Sequence, residues 1–199
     1  MFWDKAASFY DFFETIYNRK VYKEFPLQVA TIINEGDKVL ECACGTGVIT
    51  KAMASKGASI IATDFSEGML HQARKKCKAL DNVTIHKADI MHLNFADNSF
   101  DKVVAGNVIH LLDNPKDAMK ELSRVCKPDG LIILPTYINK EKTGKPLFIV
   151  RLLKAIGVDF KMQFTMNDYK EFITRMGFPN ADFYLVNGKM PNAIAVIRP

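Results

Sequence analysis

Short apolar runs alternate with amphipathic stripes along most of this chain. Val39, Leu40 and Cys42, set around Glu41, read as a strand covered on both faces, and the run breaks into a turn bearing Gly45 and Gly47. Residues 48–55 then read as a helix. A second apolar strand spans 59–63 and ends at Asp64. Ser66 predicts the N-cap of a helix that places Met69, Leu70, Ala73, Cys77 and Leu80 on one face. A third strand over 83–88 ends at Asp89, and a fourth over 100–106 ends at Asn107. Asn114-Pro115 starts a helix with an N-cap and a proline at its first position, and Ala118, Met119, Leu122 and Val125 form its buried stripe. Lys127-Pro128-Asp129-Gly130 stops that helix and predicts a turn into a strand over 131–134.

The last third breaks the alternation. Thr165 and Asp168 predict a capped helix carrying Tyr169, Phe172, Ile173 and Met176, closed by Gly177. Two β-rich runs, 181–186 and 193–197, flank Asn187-Gly188 as an antiparallel hairpin. The pattern specifies an α/β fold, a doubly wound and mostly parallel seven-stranded sheet with an antiparallel C-terminal hairpin strand. Ligands of such sheets sit at the carboxyl ends of the strands. We expect one domain over 1–199: a helical cover over 1–35, a cofactor-binding core over 36–137, and substrate-side helices with the hairpin over 138–199.

Bulk properties narrow the picture. A chain of 199 residues that is 48% hydrophobic can bury a full core without a second domain. The net charge of +5 comes from scattered Lys and Arg, with no basic block interleaved with aromatics, so no nucleic-acid partner is expected. No apolar run reaches membrane-spanning length, and Asp4, Lys5 and Asp11 interrupt the aromatic start, unlike a signal peptide. Cys42, Cys44, Cys77 and Cys126 form neither a CxxC pair nor a zinc set, so they read as buried thiols and no metal is expected. Together these predict a cytoplasmic protein without integral membrane association.

The glycine spacing bears on the cofactor. A dinucleotide fingerprint needs G-x-G-x-x-G, and with Gly45 and Gly47 the third place falls on Thr50, while the frame shifted back places Ala43 and Val48 at its outer positions. What remains is Glu41-x-Ala43-x-Gly45-x-Gly47. It resembles motif I of class I S-adenosylmethionine-dependent methyltransferases, with Ala43 where that family prefers glycine. The resemblance runs from about Val39 to Tyr137 and is most similar to the small methyltransferases related to ubiquinone and menaquinone biosynthesis enzymes. IIATDFSEGML matches their second motif, KADIMHLNFADNSFDKVVAGNVIHLL the third and fourth, and RVCKPDGLIIL their RVLKPGG segment, with Cys126 and Asp129 as departures.

This resemblance implies a Rossmann-like methyltransferase fold holding S-adenosylmethionine, with S-adenosylhomocysteine as product. It implies that Asp64 accepts from the ribose hydroxyls, that Phe65 and Met69 face the adenine, that Asp89 accepts from the adenine amino group beside the Ile90 backbone, and that Asn107 borders the methionine portion. Ala43, Gly45 and Gly47 would shape the turn around the ligand. Glu41 either reaches the cofactor's amino group or serves as a strand-end charge. His110 is the candidate general base, with a structural role as its alternative. AASFYDFF resembles the opening helix of related enzymes, in which a tyrosine, here Tyr10, approaches the cofactor.

A sulfonium methyl is already an activated electrophile, so positioning and exclusion of water can supply much of the rate. Substrate identity is expected in the aromatics Trp3, Phe9, Tyr10, Phe13 and Tyr17 and in 145–164, where Phe148, Ile149, Leu152 and Leu153 form a second apolar stripe. Such a cover suits a small acceptor of hydrophobic character. Two alternatives stand beside it: a phospholipid or quinone methyltransferase working in peripheral contact with a membrane surface, and a cofactor-binding regulatory subunit without turnover. The pattern leaves the oligomeric state open.

Overall fold

A strand flanked by helices on both faces must be apolar on both, and β1 (Lys38–Cys42) is buried at every position after its first. It pairs in parallel with β2 (Ser59–Asp64) on one side and with β4 (Phe100–Ala105) on the other. The structure, a computed structural model, describes residues 3, 4, 7, 15–139 and 161–199. With β3 (Val83–Lys87), β5 (Cys126–Tyr137), β6 (Asp182–Val186) and β7 (Asn192–Ile197), the sheet has seven strands in the order β3-β2-β1-β4-β5-β7-β6. The first five are parallel, and β7 runs antiparallel to both β5 and β6. The chain reverses its direction of winding between β1 and β4, which opens a crevice at their carboxyl ends.

Alternation along β1 divides the core. Leu40 and Cys42 join one apolar cluster with Val103 and Ala105, whereas Val39 joins the other with Ile60 and Val104. The second cluster is covered by α1 (Arg19–Ala30), α2 (Val48–Ala54) and α3 (Glu67–Cys77). The first is covered by α4 (Pro115–Val125) and α5 (Met166–Arg175). The caps are those the sequence signals. Ser66 accepts from the Met69 N–H at 3.2 Å, Asn114 accepts from that of Asp117, and Thr165 with Asp168 closes a capping box.

One strand departs from the sequence expectation by more than a residue. The Lys127–Gly130 turn does not precede β5; it lies inside it, since the strand starts at Cys126 and runs to Tyr137. Phe100 pairs with Cys126 and Lys102 with Leu131, so β5 advances five residues while β4 advances two. The bulge is held by Asp101, whose carboxylate accepts from Lys127 Nζ at 2.6 Å and from the Lys38 N–H at 2.9 Å. Gly130 fits there because a Cβ would sit 2.8 Å from the Asp101 carbonyl oxygen.

Candidate functional site

The carboxyl ends of β1, β2 and β4, with the segment after β3, open into one cavity of about 380 Å³. Ala43, Gly45, Asp64, Phe65, Met69, Asp89, Ile90 and Asn107 all line it. The turn after β1 is left-handed in alternate steps, with φ of 54° at Ala43, 55° at Gly45 and 81° at Gly47. Ala43 therefore occupies a backbone conformation that suits glycine better.

Asp64 ties this turn to the end of β2. One carboxylate oxygen accepts from the Gly45 N–H at 2.8 Å and the other from the Ser66 N–H at 2.9 Å. Burial pushes its pKa up, and these two hydrogen bonds pull against that shift. Each oxygen keeps a further lone pair for a ligand hydroxyl. Phe65 is half exposed, with Lys87 Nζ 5.8 Å from its ring centroid, whereas Met69 is nearly buried. Asp89 accepts from the Met91 N–H at 2.9 Å, which fixes the chain as it leaves β3.

Three sequence-predicted residues fall elsewhere. Gly47 is absent from the cavity wall; a Cβ there would meet Ala73 and Cys77 at 3.2–3.3 Å, so its smallness serves the contact of the turn with α3. Glu41 stands behind the wall, fully buried between β1 and α2. Its Oε2 accepts from Thr50 Oγ1 at 2.5 Å, its Oε1 has no partner, and burial pushes its pKa up to about 8. His110 also lies outside the lining. It is buried on a short 3₁₀ turn (Ile109–Leu111), its Nδ1 lies 2.9 Å from Thr136 Oγ1, and burial holds its pKa down at about 4. That placement favours its structural reading over the general base. Tyr10 lies outside the described residues, as do Phe9, Phe13, Phe148, Ile149, Leu152 and Leu153.

Trp3 reaches the cavity from the N-terminal segment. Its neighbour Asp4 accepts from Ser66 Oγ at 2.7 Å and the Gly68 N–H at 3.1 Å, contacts that hold the Asp4 pKa at about 2. Tyr22 and Phe25 from α1, Tyr137 from the end of β5, and Gly106 also line the cavity and were not singled out as site residues from the sequence. Tyr22 and Phe25 show the three-residue spacing of one helix face, a signal that marks a shared face but not what it meets. Gly106 is readable only in three dimensions, because a Cβ there would run into Ile49.

The donor and acceptor set matches a cationic nucleoside. The Asp64 and Asp89 carboxylates offer acceptors, and Phe65, Met69 and Ile90 offer an apolar slot for a purine. The family profile described as a methyltransferase domain matches residues 40–134, the segment that supplies most of this wall. A demethylmenaquinone methyltransferase of Staphylococcus epidermidis is 34% identical over 145 residues, which cover 70% of this chain and 58% of that protein. The chain belongs to the class I S-adenosylmethionine-dependent methyltransferases.

It spans about half the length of the curated relatives it matches, 40% and 58% of two of them. Solved structures agree on the methyltransferase fold. The methyltransferase in complex with the Haloferax volcanii Trm112 methyltransferase activator superposes with a TM-score of 0.74 at 16% identity, covering 99% of this chain and 97% of that one. The magnesium protoporphyrin IX methyltransferase of Synechocystis, solved with bound S-adenosylhomocysteine, gives 0.67 at 18% identity, covering 89% and 83%. Among the described residues no helix is long and apolar enough to cross a membrane.

Proposed function

We propose that this methyltransferase binds S-adenosylmethionine in the β1–β4 crevice and transfers its methyl group to a small apolar acceptor. The observation that supports this most is the convergence of Asp64, Asp89, Asn107 and the left-handed Ala43–Gly45 turn on one cavity at the carboxyl ends of parallel strands. When bound, the cofactor supplies a methyl group activated by a sulfonium. Asp64 would accept from the ribose hydroxyls, Phe65, Met69 and Ile90 would enclose the purine, and Asp89 would accept from its amino group. Glu41 stands behind this wall, so it would reach the cofactor's ammonium only through an intervening water.

The chemistry then rests on orientation and exclusion of water. His110 is held neutral in the core beside Thr136, so its part is to shape the turn after β4. Tyr22, Phe25 and Tyr137 give the cleft an aromatic side suited to a flat, apolar acceptor, and the demethylmenaquinone methyltransferases among the relatives support a quinone-like one. We assign the protein to the cytoplasm, since all four cysteines are buried free thiols that suit a reducing compartment.

The test is to incubate purified protein with methyl-labelled cofactor and fractionated small-molecule extracts, including the organic-soluble fraction. Label in one small organic-soluble product, with matching S-adenosylhomocysteine, is the expected result. Cofactor binding without turnover on any fraction would overturn the enzyme reading in favour of a regulatory subunit.

A further inference from the structure

Every position of β7 is buried, and Asn192 heads the row it shares with Ile194 and Val196 toward the cluster under α1. Its Nδ2 donates to Asn107 Oδ1 at 2.9 Å, while its own Oδ1 is buried with no partner. An apolar residue would fill this place without leaving a buried oxygen unpaired. Asn192 is thus a poor choice for packing alone.

The residue it holds is in the cleft wall. Asn107 has a left-handed φ of 54°, and its backbone N–H donates to the Pro135 carbonyl at 2.7 Å. Among the described residues its side chain is gripped only through the oxygen, by an amide that does not itself line the cavity. The nitrogen pole of an amide points away from its oxygen, so the donor end is the one left for the cavity.

We propose that Asn192 is a positioning residue: by holding Asn107 Oδ1 it keeps the Asn107 amide nitrogen turned into the cleft as a donor to a ligand oxygen. The identity of that ligand rests on the function proposed above. Two oxygens qualify, the carboxylate of the cofactor and an oxygen of the methyl acceptor. Reversing the grip reverses the polarity of the cleft: Asn192→Asp offers no donor, so the Asn107 amide must rotate to donate to the introduced carboxylate and present its oxygen to the ligand.

The test uses the full chain and calorimetry. In the first arm, the ratio of affinities for S-adenosylhomocysteine and 5′-methylthioadenosine, which lacks the amino-acid end, is compared between wild type and Asn192→Asp. A tenfold or greater fall in that ratio, with methylthioadenosine affinity kept, supports the inference and identifies the cofactor carboxylate. In the second arm, 1,4-naphthalenediol is titrated into protein saturated with S-adenosylhomocysteine. A tenfold loss here alone supports the inference and identifies an acceptor oxygen.

If Asn192→Asp does not fold, Asn192→Ala carries the same comparisons with about a threefold loss expected. A folded variant with both arms unchanged overturns the inference, including the case in which neither protein binds the diol, and so does an equal loss of all ligands. Wild-type protein that fails to bind S-adenosylhomocysteine removes the functional reading and the inference with it.

Discussion

Ala43 is an alanine held at a φ of 54°, and a left-handed L-residue costs about 1–2 kcal/mol relative to glycine. Glycine at this place also makes the unfolded chain more flexible, which offsets about 0.4–1 kcal/mol of the relief. Ala43→Gly should therefore leave stability unchanged or raise it by up to about 1.6 kcal/mol, with S-adenosylhomocysteine affinity kept. Ala43→Val should lose both, because a β-branched residue fits the left-handed region poorly and adds bulk to the cavity wall. Thermal melts paired with ligand titration read both effects, and a stable valine variant with normal binding would mean the turn does not face the ligand. Asp64 is less separable from the fold than its strand-end position implies, since both its oxygens hold backbone N–H groups. Asp64→Ala should cost folding stability as well as about 2 kcal/mol of ligand affinity. Glu41 and His110 give opposite pH dependences. The pKa of Glu41 is raised from 4.5 to about 8 by burial, so its contribution to stability is full below about 4.5 and is lost as pH rises through 8. The pKa of His110 is lowered from 6.5 to about 4, so its contribution is full above 6.5 and is lost as pH falls through 4. Urea unfolding from pH 4 to 9 should show the alkaline decline flattened in Glu41→Gln; equal slopes in both proteins would assign that decline to another group.

At the scale of elements, α4 reaches the Asp89–Ile90 side of the cleft through Arg124. Its guanidinium donates to the carbonyls of Leu93 and Phe95 at 2.7 Å each and to Glu121, whose carboxylate in turn accepts from the Leu93 N–H at 2.8 Å. This clamp fixes the segment that leaves Asp89 and Ile90. Arg124→Leu should destabilise the protein by about 2 kcal/mol, since hydrogen bonds to charged groups are the stronger ones. Hydrogen exchange should then accelerate over 91–99, and unchanged protection there would contradict the clamp. Which elements form was legible because each strand follows from a local apolar run and α3, α4 and α5 each from a stripe and a cap, and Asp64, Asp89 and Asn107 were legible because they stand at or just past the strand ends. What the chain does not show locally is which element meets which. Gly47 carries the signature of a ligand-facing glycine, but its neighbours are Ala73 and Cys77, about 30 residues away. Tyr22, Phe25 and Tyr137 share the cleft only because α1 lies across the sheet, and His110 is withdrawn from it by Thr136 on β5. The bulge in β5 looks like a turn in the sequence because proline and glycine mark both, and only the register against β4 separates them.

For the whole molecule, the sheet order brings Ala43, Gly45, Asp64, Asp89 and Asn107 to one rim, so a ligand seated there would tie together β1, β2, β4 and the segment after β3. Binding to the folded state alone stabilises it by about 2.7 kcal/mol at a hundredfold excess over Kd, which for a domain of this size raises Tm by about 5–10 °C. S-adenosylhomocysteine should produce that shift and adenine alone should not. The measurement that bears most directly on the central claim is calorimetric titration of the wild-type chain with S-adenosylhomocysteine. We predict saturable binding at one site with a micromolar or tighter Kd, weakened about thirtyfold in folded Asp64→Ala. No saturable heat with folded wild-type protein, or equal affinity in the two proteins, would contradict the assignment of this cleft.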